Sequence, residues 1–149
     1  QVEKLKKGIV ELVDWYIANP NEEMPFFILF YLRHFLTYEA KGIEIKNCGA
    51  GSSLFTFSEN KIIPCNRFKN DQEAIDAIPQ YAEMKECQTC EVRKYCKKGC
   101  LFEQIKNKGP IVELCDIYKF TYKEVARVTK ALQYHPKFQE LMLEEIQNG

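Results

Sequence analysis

The sequence has no excess of charge of either sign and no long hydrophobic run. Lys+Arg and Asp+Glu both number 21 in the 149 residues, so no net field attracts the chain to nucleic acid or to an anionic membrane surface. The apolar stretch Pro25–Leu32 is followed at once by Arg33 and His34 and is far shorter than the roughly 20 residues of a spanning helix. The stretch Gln1–Lys7 lacks the apolar core and cleavage site of a signal peptide. These absences predict a cytoplasmic protein with no membrane or nucleic-acid partner.

Histidine is scarce, with two residues, whereas the chain has 7 cysteines. An odd number does not suit a disulfide framework, which usually serves chains too short to bury a core. With 46% apolar residues this chain can build a core, and cysteines in a reducing compartment remain thiols or bind metal. Neither histidine has a convincing ligand spacing from the cysteines. We interpret His34 as a partly buried structural residue and His135 as a solvated loop residue.

The apolar periodicity predicts four helices. The first ends at Asn19, because Pro20 disfavours helical geometry in the residue before it. Gly42 stops the second, and Pro110 is placed at the first helical position of the third. The predicted helices cover about Val2–Ala18, Glu23–Glu39, Ile111–Leu132 and a short segment that begins at Pro136.

Two β-prone runs, Leu54–Phe57 and Lys61–Pro64, flank a short polar turn that ends in Asn60. Asparagine tolerates the left-handed backbone of such a turn, so the pattern predicts a β-hairpin. Cys48 and Cys65 bracket the hairpin, and its folding is expected to bring their sulfurs near one another. The predicted fold is therefore a small, mostly helical α+β domain. It has one hairpin and a cysteine-rich centre, of little regular structure, that metal organises.

The densest cysteine block has the spacing Cys-x2-Cys-x5-Cys-x3-Cys. Its members are Cys87, Cys90, Cys96 and Cys100. A Cys-x2-Cys pair lets two sulfurs reach one metal centre around a tight turn, and such pairs occur in both zinc and iron–sulfur sites. Gly99 lets the chain pass close to a cluster. Three nearby lysines would offset the negative charge of bound thiolates: Lys94, Lys97 and Lys98.

The complete pattern adds Cys48-x16-Cys65 before the block and Cys115 after it. It resembles the SPASM domain, the C-terminal extension of many radical S-adenosylmethionine enzymes that modify peptides and proteins. That family usually has the form Cys-x(9–15)-Gly-x4-Cys, gap, Cys-x2-Cys-x5-Cys-x3-Cys, gap, Cys. Here Asn60 replaces the usual glycine. Asn66 stands where sulfatase-maturating relatives carry a proton-accepting aspartate, which weakens a sulfatase-maturase interpretation.

The resemblance implies two [4Fe–4S] clusters whose ligands are interleaved in sequence. The outer cluster would have four protein ligands, Cys87, Cys90, Cys96 and Cys115. The inner cluster would have three, Cys48, Cys65 and Cys100. Its remaining coordination site would be filled by an upstream residue, water or a substrate thiolate. The implied organisation is one SPASM-like domain, 1–149, made of an N-terminal helical segment linked to the radical core (1–42), a cluster-binding region (43–115) and a C-terminal helical segment (116–149).

The radical core itself is not found in the sequence. The Cys-x3-Cys-x2-Cys motif for the cluster that cleaves S-adenosylmethionine is absent, and the chain has no room for the preceding barrel. We therefore expect a C-terminal fragment of a longer peptide-modifying enzyme, with no catalytic residues of its own. Its expected partners are the radical core of the same parent chain, where S-adenosylmethionine would bind, and a peptide or protein substrate. The expected role is electron transfer, substrate docking or both.

A non-enzymatic zinc-binding interaction module with helical arms is the alternative. Zinc in recombinant material would not decide between the two, since thiolates bind both metals.

Overall fold

The structure, a computed structural model, describes residues 1–46, 48–81 and 84–148. The chain forms two compact units. The helical unit comprises Gln1–Ile45 and Asp116–Gly149, and the cysteine unit comprises Lys46–Cys115. In chain order the elements are α1 (Val2–Ala18), α2 (Phe26–Lys41), β1 (Thr56–Ser58), β2 (Lys61–Ile63), a 3₁₀ helix (Asn66–Phe68), α3 (Gln72–Tyr81), α4 (Lys85–Gln88), α5 (Leu101–Lys106), α6 (Val112–Leu132) and α7 (Pro136–Asn148).

In the helical unit, α1 has the predicted bounds. The Asn19 side chain donates a hydrogen bond to the carbonyl oxygen of Trp15 at 2.8 Å and closes the last turn. Helix α2 begins at Phe26, three residues later than predicted. Pro25 precedes it and has an extended backbone conformation, and a proline keeps the residue before it out of helical geometry. Gly42, in the left-handed conformation, ends α2 as predicted.

The two C-terminal helices of the helical unit also follow the prediction closely. Helix α6 begins at Val112, so Pro110 lies two residues before it and does not take the first helical position predicted for it. Helix α7 begins at Pro136, where a fixed φ and a missing N–H are tolerated. The buried apolar core comes from α1, α2, α6, α7 and the turn before α2. It consists of Ile9, Val13, Tyr16, Met24, Ile28, Leu32, Leu36, Val125, Val128, Leu132 and Phe138.

In the cysteine unit, β1 and β2 form the predicted antiparallel hairpin, with Ser58 paired to Lys61. The loop is therefore the two-residue segment Glu59–Asn60. Both residues have positive φ, 49° and 63°, which is the geometry of a type I′ turn and matches the twist of the strands. Asn60 adopts the left-handed backbone expected of it.

The expectation of little regular structure between the hairpin and α6 is wrong. Helices α3, α4 and α5 lie there. The Asp71 side chain accepts a hydrogen bond from the Ala74 N–H at 3.0 Å and so caps the first turn of α3. Pro79, which cannot donate to a carbonyl one turn earlier, lies near the end of that helix.

A second, smaller core holds these elements together. It consists of Ala50, Phe68, Ala74, Leu101 and Ile105. The Phe68 ring meets Phe102 edge-on at 5.1 Å between centroids. Gly51, at φ +78°, lies so close to α3 that a Cβ atom would stand 3.1 Å from the Ile78 side chain. The unit is thus packed around few apolar side chains.

Together these elements confirm an α+β class that is mostly helical with a two-stranded antiparallel hairpin. The organisation of the centre by metal and the single-domain division remain predictions. Of the residues that the structure describes, no helix is both long enough and apolar enough to cross a membrane.

Candidate metal centre

All seven cysteines lie in the cysteine unit and are free thiols. Cys48 is exposed and the other six are partly buried. No disulfide bond links them.

The Cys-x2-Cys pair lies on a tight turn, as the spacing predicts. Cys87 is in α4, and its carbonyl oxygen accepts a hydrogen bond from the Cys90 N–H at 3.3 Å. The Cys87 N–H in turn donates a hydrogen bond to the backbone carbonyl oxygen of Met84. The side chain of Met84 is buried and anchors the turn. Both thiols therefore project from a short, anchored loop.

The chain around Cys96 wraps its sulfur. The Lys98 N–H donates to the Cys96 Sγ at 3.2 Å, a contact that favours the thiolate form. Lys98 and Gly99 both have left-handed backbones, at φ 61° and 70°, and this pair of residues curls the chain back over the sulfur. For Lys98 such a backbone is uncommon.

The side chain of Gln104 fixes this loop from α5. It donates to the carbonyl oxygen of Lys98, and the residue is only 7% exposed. Nothing in the sequence indicates this role of Gln104, because the contact depends on how α5 packs.

The sulfurs of Cys87, Cys90, Cys96 and Cys115 form one electrostatic neighbourhood. Burial raises the pKa of the Cys96 thiol, and negative charge on Cys115, Cys90 and Cys87 raises it further, while the Lys98 N–H lowers it. Burial also raises the pKa of the Cys87 thiol, with Cys115 and Cys90 adding to the rise. Cys115, on the first turn of α6, thus acts on cysteines far from it in sequence.

Positive charge from Lys98 lowers the pKa of Cys87, which is the compensation expected of that lysine. Without further positive charge, four thiolates so placed repel one another. A bound cationic metal centre would remove the repulsion, and a coordinating thiol is deprotonated. The donor set therefore suits such a centre.

Of the remaining three cysteines, Cys65 packs against the second core. Cys65 precedes the 3₁₀ helix, and its carbonyl oxygen accepts the Phe68 N–H at 2.9 Å. Cys100 precedes α5 and in the same way accepts the Gln104 N–H at 3.0 Å. Cys48 is exposed beside Gly49. The last residue pair of the hairpin is Thr56 with Ile63, so the strands do not themselves pair Cys48 with Cys65. That the two sulfurs lie near one another stays a prediction.

Within 1–46, 48–81 and 84–148, no three Cys, His, Asp or Glu side chains are placed to hold one metal ion together. The described residues thus show electrostatic interaction among four of the predicted ligands and no single-ion geometry.

Both histidines lie in the helical unit. His34 is partly buried, and its Nδ1 lies 3.1 Å from the Tyr122 hydroxyl, with the Phe30 ring against it. This agrees with the structural role expected of it. His135 is not the solvated residue predicted. It is half-buried between α6 and α7, and in the described part of the chain its buried Nδ1 has no hydrogen-bond partner.

Comparison with protein-family models, curated proteins and solved structures finds no match to this chain. The likeness to the SPASM domain therefore rests on the cysteine spacing.

Proposed function

We propose that this chain is an auxiliary iron–sulfur domain of a cytoplasmic radical S-adenosylmethionine enzyme that modifies a peptide or protein. The outer [4Fe–4S] cluster would be held by Cys87, Cys90, Cys96 and Cys115. The inner [4Fe–4S] cluster would be held by Cys48, Cys65 and Cys100. S-adenosylmethionine and the radical chemistry would belong to a core outside this sequence, so the chain alone would not be catalytic.

The observation that supports this proposal is the position of Cys115. The charge on Cys115 acts on Cys96, 19 positions before it in the sequence, as do the charges on Cys87 and Cys90. Cys115 and Cys90 act on Cys87 in the same way. These four cysteines are the interleaved set that the SPASM resemblance implies for the outer cluster.

Four thiols in one electrostatic neighbourhood fit the four cysteine ligands that a [4Fe–4S] cluster takes. Zinc also binds four cysteines, and the experiment below distinguishes the two metals.

The protein's own groups would tune such a cluster. A hydrogen bond to a cluster sulfur stabilises negative charge there and shifts the reduction potential. The Lys98 N–H bonded to Cys96 Sγ is in place to do this, and Gln104 holds the Lys98 carbonyl oxygen. The clusters would supply electron transfer. With three cysteines at the inner cluster, one iron would be available to a substrate thiolate.

The test compares single variants after anaerobic reconstitution with iron and sulfide. Cys115→Ser and Cys96→Ser should each remove the same cluster and about half of the iron, because each cluster holds four irons. Cys100→Ser, four positions after Cys96, is the matched control and should remove the other cluster, with a different electron paramagnetic resonance signal.

Three results would contradict the proposal. Cys100→Ser could give the signal lost in Cys96→Ser, which would overturn the ligand partition. Cys115→Ser could retain all of the iron, which would remove Cys115 from the set. A colourless protein that binds zinc and takes up no iron would favour the zinc module instead.

A further inference from the structure

Gln104 is a polar residue buried inside the cysteine unit. Among the described residues, the polar and charged residues that are buried are Gln104, Thr121 and Glu124, and the last two belong to the helical unit. A buried amide is normally held by hydrogen bonds, because leaving its polar atoms unpaired destabilises the fold. The partners of Gln104 therefore indicate its role.

Gln104 contacts the segment that joins the two predicted ligand sets. Its backbone N–H donates to the carbonyl oxygen of Cys100 at 3.0 Å. Its side-chain amide donates to the carbonyl oxygen of Lys98. The same amide lies against Gly99, where a Cβ atom would stand 3.5 Å from Gln104 Nε2. The side chain thus covers the turn formed by Lys98 and Gly99.

This turn has a conformation that needs a restraint. Lys98 and Gly99 both have left-handed backbones, which glycine adopts freely but which is unfavourable for a residue with a side chain. In this conformation the Lys98 N–H donates to Cys96 Sγ at 3.2 Å. Holding the Lys98 carbonyl oxygen also holds the dihedral angles of that residue, and these direct its N–H at the sulfur.

We infer that Gln104 is a positioning residue, which keeps the Lys98 N–H on the Cys96 sulfur and so raises the reduction potential of the outer cluster. This inference rests on the proposed function and deepens it. Reduction adds one electron to the cluster, and a hydrogen bond to a ligand sulfur stabilises the added negative charge. Without the Gln104 amide, Lys98 relaxes to an ordinary backbone conformation, its N–H leaves the sulfur and the potential falls.

The effect is selective for one cluster. Cys100, a predicted ligand of the inner cluster, meets Gln104 through main-chain atoms of both residues, and a substitution at position 104 leaves those atoms in place. The Gln104 side chain instead acts on the loop of Cys96. Its replacement should therefore shift the potential of the outer cluster and leave that of the inner cluster unchanged, whereas a general loosening of the unit would shift both.

A redox titration with dithionite, followed by electron paramagnetic resonance, tests this on the full chain loaded with iron and sulfide. The outer cluster is the one whose signal Cys96→Ser removes. Gln104→Met fills similar space without the amide and should lower the outer potential. The expected change is up to about tenfold in the reduction equilibrium constant, the size of one hydrogen bond, or about 59 mV for a one-electron couple.

Two further variants accompany it. Gln104→Asn keeps an amide that is one methylene group too short, and it should lower the outer potential in the same direction. Gln72→Met is the matched control, since it removes a glutamine hydrogen bond of the same unit, the 2.9 Å contact with Asp76 in α3. It should change neither potential. Circular dichroism and iron content confirm that each variant folds and holds both clusters.

A double-mutant cycle separates positioning from packing. Glycine adopts the left-handed backbone without a penalty from a side chain, so Lys98→Gly should keep the N–H in place with less need of Gln104. Gln104→Met should therefore lower the outer potential less in the Lys98→Gly background than in the wild type. The lysine charge is missing from both proteins compared in that background, so its effect cancels.

An outer potential equal to that of the wild type in both position-104 variants would overturn the inference, as would an equal shift of both clusters. Equal effects of Gln104→Met in the two backgrounds would overturn it too, because the amide would then act by packing alone. Loss of outer-cluster iron from both position-104 variants would give Gln104 a folding role instead. The proposed function survives each of these results, since the wild-type chain still holds two clusters. A wild-type chain that takes up no iron would end both.

Discussion

The helical unit and the cysteine unit differ in what holds each together. The buried core of the helical unit includes large side chains such as Tyr16, Leu32 and Phe138, contributed by four helices. That of the cysteine unit includes two alanines and few large residues, and its helices are short. Small packed regions usually need a metal or a covalent link to be stable. The unit with the smaller core is the one that contains all seven thiols.

Metal removal should produce the largest difference between the units. If clusters organise the cysteine unit, their binding free energy is also folding free energy, and chelation should unfold that unit alone. Amides of the 3₁₀ helix and α5 should lose their protection from hydrogen exchange, while those of α2 and the second half of α6 keep it. Anaerobic exchange with mass spectrometry, on loaded and chelated protein, measures this. Equal protection of α5 in both samples would show that metal does not organise the unit.

Core truncation in each unit should have an intermediate effect. Phe138 and Phe68 are both fully buried, and replacing such a phenylalanine by alanine costs about 3–5 kcal/mol. Phe138→Ala should lower the urea midpoint of the helical unit and leave iron content unchanged. Phe68→Ala should lower the retention of iron.

Phe26→Ala is the control for these variants, since Phe26 is 73% exposed and surface changes usually stay within about 0.5 kcal/mol. Loss of iron from Phe138→Ala as large as from Phe68→Ala would mean that the two units do not act separately.

The smallest expected effect is at the cap of α3. A hydrogen bond from Lys106, and then one from the Ala74 N–H, lower the pKa of the Asp71 carboxyl. A lowered pKa stabilises the fold above the unfolded value, near 3.9, and this stabilisation is lost as the pH falls through the folded value. Asp71→Asn keeps a good capping residue but removes the charge, whereas Asp71→Ala removes both.

At pH 7 the urea midpoint of the cysteine unit should fall from wild type to Asp71→Asn to Asp71→Ala. The same order should hold at pH 5, which is still above the carboxyl's ordinary range. A gap between wild type and Asp71→Asn that closes already at pH 5 would contradict the lowered pKa.

Sequence signals found the elements that local chemistry determines. Helix α1 was predicted to the residue because its apolar spacing and Pro20 are local features. Helix α3 has a local signal too, since Asp71 begins it and the apolar residues Ala74, Ile75 and Ile78 follow, but the interior Pro79 argues against a helix. Helix α5 has six residues and lies against α3, so nothing local specifies it.

The candidate site, too, has some features that can be predicted from the sequence and others that cannot. The spacing of the cysteines can be read from the sequence, and so can the positive charge near them. The left-handed backbone of Lys98 and its restraint by Gln104 cannot, because both depend on how α5 packs. The two-residue turn at Glu59–Asn60 was predicted only in part, since glutamate rarely adopts positive φ.

The cysteine unit interrupts the helical unit in sequence, and this order has a consequence for synthesis on the ribosome. Helices α1 and α2 emerge first, with Ile28 and Leu32 ready to pack, but α6 and α7 follow only after the whole of Lys46–Cys115. At about 5–20 residues per second, that leaves apolar surface uncovered for some seconds. An unfolded insert would also act as a long loop, whose closure costs about 0.6 kcal/mol for each doubling of its length. An insert that has already folded fixes the distance between its ends. If clusters bind the cysteine unit, their early insertion would hasten completion of the helical unit and shorten its exposure to aggregation.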